Sequence, residues 1–257
     1  MPIDLTCDDG VAIVTINRPE RRNAFDAAHY RALSEAWIVI RDDPAIRAAI
    51  ITGAGDRAFS AGADIKSFTA EPPPLGEIML TQAGQLLNRG LDIWKPVIAA
   101  VNGACLGGGM TLLLATDIRI AARHATFGVP EVKRGLFPAN GGTQRLLQQL
   151  PHAIAMEMLL TGDAIDAATA ERWGLVNHVV EADALMPAAL DVARRIAANA
   201  PLGVQAAKEL ALRSRDLDLA SGLRLEQAML RLLQTSDDVR EGAAAFAEKR
   251  PPRFTGR

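Results

Sequence analysis

Two apolar runs, Ala48-Ala-Ile-Ile-Thr52 and Pro96-Val-Ile-Ala-Ala-Val101, each lead into a segment made almost wholly of small residues. Gly53-Ala-Gly55 and Phe59 separate the first run from Ser60-Ala-Gly-Ala-Asp-Ile-Lys66. The second runs directly into Asn102-Gly-Ala-Cys-Leu-Gly-Gly-Gly109. Short β-branched runs bounded by glycine read as buried strands. Small residues after them leave backbone N–H groups free to face a ligand without side-chain obstruction. Two such groups converging on one carbonyl oxygen form an oxyanion hole, and losing one donor costs roughly 3–4 kcal/mol of transition-state stabilisation.

The rest of the chain extends the pattern. Val11-Ala-Ile-Val-Thr-Ile16 reads as a strand that stops at Asn17-Arg18-Pro19, and Phe25 to Arg41 carries apolar residues near helical spacing. Ile78 to Ile93 reads as a helix, Gly108 to Ala115 as another, and Asp117-Ile-Arg-Ile-Ala121 as a strand. Glu71-Pro-Pro-Pro-Leu-Gly76 reads as a loop. Strands alternating with helices predict an α/β domain. From about Ile154 the pattern turns helical, with Asp163 and Asp166 as N-caps, and beyond Pro201 strand signals cease. The reading is a core over 1–200 and a C-terminal helical region over 201–257 that packs on something else, such as a partner subunit.

Composition excludes several classes. A formal net charge of −2 supplies no field for nucleic acid or an anionic membrane. Pro96 to Thr116 is uncharged and long enough to span a bilayer, but Asn102 and four glycines break it into strand, turn and helix. The N-terminus shows no basic region followed by an apolar run, so no signal peptide is expected. The two cysteines, Cys7 and Cys105, lack metal-ligand spacing and read as reduced thiols of a cytoplasmic protein. No metal set is evident; His124 and His152 read as surface or capping residues. Gly53-Ala-Gly55 does not extend to a dinucleotide fingerprint, because position 58 is alanine and no helix opens after it.

Taken in order, the motifs resemble the crotonase superfamily, the enoyl-CoA hydratase/isomerase group, over essentially the whole chain. They are Asn17-Arg-Pro-Glu-Arg-Arg-Asn-Ala24, Phe59-Ser-Ala-Gly-Ala-Asp-Ile-Lys66, Lys95-Pro-Val-Ile-Ala-Ala-Val-Asn-Gly103, Leu106-Gly-Gly-Gly109, Phe127-Gly-Val-Pro-Glu131, Gly141-Gly-Thr-Gln-Arg145 and Phe246-Ala-Glu-Lys-Arg250. The resemblance implies a spiral of ββα units and C-terminal helices that form a homotrimer or a hexamer of two trimers. It also implies a CoA-thioester substrate with no separate cofactor. By position, Ala63 and Gly108 become the two N–H donors. Arg21, Arg22, Ala61, Asp64, Ile65, Lys66 and Lys249 match CoA-contacting positions. Glu20 stands where family members often carry a lysine, which leaves the arginines to compensate.

One position departs from the family. Hydratases of the group use two glutamates; the second is retained as Glu131, while Thr111 stands in place of the first. A threonine hydroxyl can hold a water but cannot act as a general base near neutral pH. Glu131 follows Phe127, Val129 and Pro130, and apolar surroundings raise a carboxyl pKa. One carboxylate beside an oxyanion hole suffices to move a double bond, as in the single-glutamate Δ3-Δ2-enoyl-CoA isomerases of the family. The expectation is therefore isomerisation or another proton shuttle. The alternatives are hydration with water held by Thr111, a substitute carboxylate from Glu71, Glu77 or Glu157, or an acyl-CoA binder without turnover.

Overall fold

In the two central strands, β3 (Ala48–Gly53) and β5 (Val97–Val101), every residue is buried. A strand that is apolar on both faces must sit between two packed layers, as in parallel sheets. The computed structural model, which describes residues 1–64 and 86–257, shows how both faces are covered. The larger sheet has six strands in the order β1 (Ile3–Asp8), β2 (Val11–Ile16), β3, β5, β7 (Ile118–Ala122) and β10 (His178–Val180). Only the β1–β2 hairpin is antiparallel; the other neighbours are parallel. Ala48, Ile50, Ile98 and Ala100 face outward onto helix α6 (Leu185–Ala197), meeting Leu185, Ala189, Val192 and Ala193. Ala49, Ile51, Val97, Ala99 and Val101 face the main core, which holds Trp37, Phe59 and Phe127.

A second sheet has four strands, β4 (Ala58–Ser60), β6 (Ala104–Leu106), β8 (Thr126–Gly128) and β9 (Ile165–Asp166). The chain alternates between sheets: β3 hands over to β4, β5 to β6, and β7 to β8. After β6 comes α2 (Gly108–Leu113), and after β8 come α3 (Gly142–Gln149) and α4 (His152–Thr161). Each turn thus adds one strand to each sheet, which is the ββα spiral that the family resemblance implies. Helix α1 (Ala27–Asp42) packs below it with Leu33, Trp37 and Ile40 buried, and Asp26 caps it by accepting from the N–H groups of Ala28 and His29.

Some expected boundaries shift. The reading of Ile78–Ile93 as one helix fails at its end. Gly90, at φ +80, allows Leu91 N–H to reach Leu86 O at 3.2 Å, a helix-terminating bond, so the chain has left any helix before Ile93. Residues 78–85 of that expected helix, and the stretch 71–76 read as a loop, lie outside the described residues. Asp166 does cap α5 (Ala167–Arg172) through Thr169 N–H, but Asp163 instead pairs with Lys133. The strands β9 and β10 interrupt the stretch read as purely helical; two or three residues are too few to show alternation.

The last three helices are α7 (Pro201–Arg213), α8 (Leu219–Leu233) and α9 (Asp237–Glu248). Neither α7 nor α8 buries a residue, and Leu219, Leu223, Leu230, Leu232 and Phe246 stand exposed. One charged contact moors α7 to the spiral. Lys208 Nζ lies 2.7 Å from Asp117 Oδ2 and donates to Lys95 O at 2.9 Å, while the same Asp117 oxygen accepts from Val97 N–H at 2.7 Å. Asp117→Ala strands both a nearly buried ammonium and a strand N–H. It should lower the unfolding free energy by about 3 kcal/mol, read as a fall in the urea midpoint.

Candidate active site

The two glycine segments meet where the turns of the spiral stack. At Gly62, which has φ +87, a Cβ would lie 2.6 Å from Gly108 N and 2.9 Å from Leu106 O. At Gly108 a Cβ would lie 3.3 Å from Ala63 N. Only a backbone without side chains can approach this closely, and it puts the N–H groups of Ala63 and Gly108 side by side. The two neighbours of Ala63 are held by strand-like bonds. Phe25 N–H donates to Gly62 O, and Asp64 N–H donates to Phe25 O, both at 2.8 Å. Gly108 is the first residue of α2, where an N–H has no partner within the helix. Among the described residues neither the Ala63 nor the Gly108 N–H is taken by a protein acceptor, so the pair is available to an oxygen ligand.

Glu131 stands next to this pair. It is the second residue of a 3-10 turn, Pro130–Arg134, that follows β8 after Val129, and its Oε1 would lie 3.3 Å from a Cβ placed on Gly107. Its Oε2 is buried and has no hydrogen-bond partner among the described residues. Burial raises the carboxyl pKa above its ordinary value, opposed by a backbone hydrogen bond and by the charge of Arg134. A desolvated carboxylate with one oxygen left unbonded is suited to exchange a proton with carbon.

Thr111 lies one turn into α2, 2 % exposed. Its hydroxyl donates to Gly108 O at 3.0 Å and accepts from Asn88 Nδ2 at 3.2 Å, while its methyl packs against Gly142. Arg145 in turn donates to Asn88 O at 3.3 Å. The hydroxyl proton is therefore committed to the helix, and sequence reasoning missed Asn88 because it fell within a stretch read as helix. Glu157, the third substitute carboxylate, is exposed on α4, while Glu71 and Glu77 lie outside the described residues.

The residues expected to meet CoA are distributed unevenly. Arg21 and Arg22 are exposed beside Asn23, whose buried amide donates to Ala54 O and Ala58 O. Ala61 N–H donates to Arg22 O at 2.9 Å, which joins that loop to the first glycine segment. Asp64 is paired with Arg18 at 3.0 Å, a partner not singled out in the sequence. Ile65 and Lys66 lie outside the described residues. Lys249 is exposed at the left-handed C-terminus of α9, on the helical region, whereas Arg21, Arg22, Ala61 and Asp64 lie in the turns and loops around β4. His124 bonds the carbonyls of Asp56 and Asn102, and His152 is exposed at the start of α4.

Two free N–H groups beside a desolvated carboxyl define a site that can polarise a carbonyl and move a proton next to it. Residues 6–257 match the enoyl-CoA hydratase/isomerase family, and the chain belongs to that family. It is 43% identical over 258 residues, covering 100% of both chains, to (E)-benzylidenesuccinyl-CoA hydratase of Thauera aromatica. It is also 43% identical over 262 residues to carnitinyl-CoA dehydratase of Salmonella arizonae, covering 98% of this chain and 97% of that one. Among solved structures, an enoyl-CoA hydratase from Mycobacterium marinum superposes with a TM-score of 0.91 at 42% identity, covering 99% of each chain. The fold is that of these enzymes.

The unpaired carboxyl has a thermodynamic signature. Its pKa is raised on folding, so between the ordinary carboxyl value and the raised one the folded state binds more protons than the unfolded state. Stability contributed by this group is then intact at low pH and falls as pH rises through that window. Glu131→Gln should be more stable than the parent at pH 7 and equal to it near pH 4, by urea unfolding at both pH values.

Proposed function

We propose that this enzyme binds an acyl-CoA whose thioester oxygen accepts from the N–H groups of Ala63 and Gly108, and that Glu131 carries the proton. The reading is supported above all by the Glu131 carboxyl, desolvated and with Oε2 unbonded beside two unclaimed N–H groups. Charge developing on the oxygen is met by preorganised donors. The second of them, at Gly108, also has the α2 dipole behind it. With a 3-enoyl thioester, Glu131 takes a proton from the α-carbon, the electrons spread over a dienolate held at the oxygen, and the same carboxylic acid, after exchanging its proton with solvent, protonates the γ-carbon. The double bond moves into conjugation, and no second acid or base is needed.

Thr111 bears on the choice between reactions. A hydroxyl whose proton goes to Gly108 O and which accepts from Asn88 has one acceptor site left, and it cannot take a proton from water. This supports the shuttle over hydration. The second reading is hydration or dehydration with Glu131 as the sole acid and base, favoured by the names of the relatives, a hydratase and a dehydratase of CoA thioesters. In either case Arg21, Arg22 and Lys66 supply positive charge for the CoA phosphates, with Ala61, Asp64 and Ile65 along the same segment and Lys249 reaching from the C-terminal region. Residues 1–200 form the acyl-CoA core. The exposed leucines of α8 support residues 201–257 as the trimerisation region, in a homotrimer or a dimer of trimers. No helix among the described residues is long and apolar enough to cross a membrane, in keeping with a cytoplasmic placement.

Mass spectrometry of 3-hexenoyl-CoA and 2-hexenoyl-CoA incubated with the enzyme in heavy water tests the reading. Deuterium should enter the acyl chain without addition of water, and Glu131→Gln should reduce that incorporation at least ~10²-fold while acyl-CoA still binds. A product heavier by one heavy-water molecule establishes hydration instead. If the parent is a shuttle, Thr111→Glu should add hydration activity to it.

A further inference from the structure

The two N–H groups are useful only if their separation and direction are fixed before the thioester arrives, and one side chain touches both of the segments that carry them. Ser60, the last residue of β4, is fully buried. Its Oγ donates to Asn23 O at 2.8 Å and accepts from Gly62 N–H at 3.1 Å. Gly62 is the residue whose carbonyl shares a peptide plane with the Ala63 N–H, and that carbonyl is held by Phe25 N–H. Residue 62 is thus pinned at its nitrogen by Ser60 and at its oxygen by Phe25, in a left-handed conformation at φ +87 that has no intrinsic preference over its alternatives in glycine.

The same serine bounds the second donor. A Cβ on Gly109 would lie 2.5 Å from Ser60 O and 2.9 Å from Ser60 Cβ, so the first turn of α2 rests directly on this residue. The register of β4 against β6 also shifts between Ala58 and Ser60, an irregularity that re-aims the chain at this point. Ser60 is therefore the joint between the segment carrying Ala63 and the helix carrying Gly108.

We infer that Ser60 is a positioning residue for the reaction: its hydroxyl sets the Gly62–Ala63 peptide so that the Ala63 N–H stands beside that of Gly108, without itself touching substrate. The inference rests on the proposed assignment of these two N–H groups to the thioester oxygen. It accounts for a polar residue in an otherwise apolar strand end, where both hydroxyl bonds are spent on backbone. An alanine here leaves Gly62 N–H and Asn23 O without their partner and frees the peptide to rotate.

The test pairs a rate with a spectroscopic reading of the bound carbonyl. Deuterium incorporation into 3-hexenoyl-CoA gives kcat and KM, and infrared difference spectra of bound 2-hexenoyl-CoA, carrying carbon-13 at its carbonyl, give the polarisation of that bond. Ser60→Ala should lower kcat about 30- to 100-fold with KM changed less than about threefold, in line with the cost of misplacing a catalytic group by an ångström. Its carbonyl band should return most of the way to the position seen free in water. Ser60→Cys, which keeps the shape with a weaker hydrogen-bonding thiol, should fall between, and it decides the matter if the alanine variant does not fold. A folded variant with kcat within about threefold of the parent, or one with reduced kcat and an unmoved carbonyl band, overturns the role of Ser60. A parent enzyme that does not shift the carbonyl band at all overturns the assignment of Ala63 and Gly108 themselves, and the role of Ser60 with it.

Discussion

Successive turns of the spiral touch through backbone that has no room for a side chain. A Cβ at Gly62 would press on Gly108 N, one at Gly109 on Ser60 O, and one at Gly103 on the carbonyl carbon of Arg57 at 2.4 Å. Gly53 is equally enclosed, with Ala58 O at 2.4 Å. Dense contact of this kind brings polar groups together in a dry interior, and each must find a partner there. Asn23 and Asn102 provide them: Asn102 donates to Gly53 O and Gly55 O and accepts from Gly53 N–H, and Asn23 ties the Arg21–Arg22 loop to the β3–β4 turn. The strands carry the apolar load, and these amides fix how one turn sits on the next.

The pair of unclaimed N–H groups follows from that stacking. So does the setting of Glu131, because β8 enters the small sheet beside β6 and delivers Pro130 and Glu131 against Gly107. What the stacking does not dictate is the residue at 111. There the helix offers a buried position that this chain fills with a hydroxyl held by Asn88 rather than with a second carboxylate. Two ionised carboxylates in one desolvated site repel and raise each other's pKa. Among the described residues, the pKa of Glu131 is raised by burial and lowered by a backbone hydrogen bond and by the charge of Arg134.

The sequence exposed the parts of this arrangement that are local. Glycine runs, continuous apolar strands and the Asp26 and Asp166 caps all act within a few residues, and the order of the motifs carried the spiral. Other features depend on groups far apart in the chain. Ser60 is visible only as a letter of a motif until Asn23 is placed against it, 37 residues away. The commitment of the Thr111 hydroxyl needs Asn88, whose segment reads as helix in the sequence but forms a turn at the left-handed Gly90. The two-residue strand β9 and the three-residue strand β10 carry too little pattern to be found, since neighbouring strands rather than their own composition define them.

The joint formed by Ser60, Asn23 and Gly62 contains a hydroxyl, a backbone carbonyl and a backbone N–H, none of which ionises in the physiological range. On the proposed assignment of the Ala63 and Gly108 N–H groups to the acyl oxygen, the geometry that receives it is therefore indifferent to acidity, while the carboxyl beside it is not. Binding strength and proton transfer are placed on separate controls within a few ångströms of each other. On that assignment, the oxygen's two donors are the same on either side of the Glu131 transition, and only the proton on the carboxyl changes.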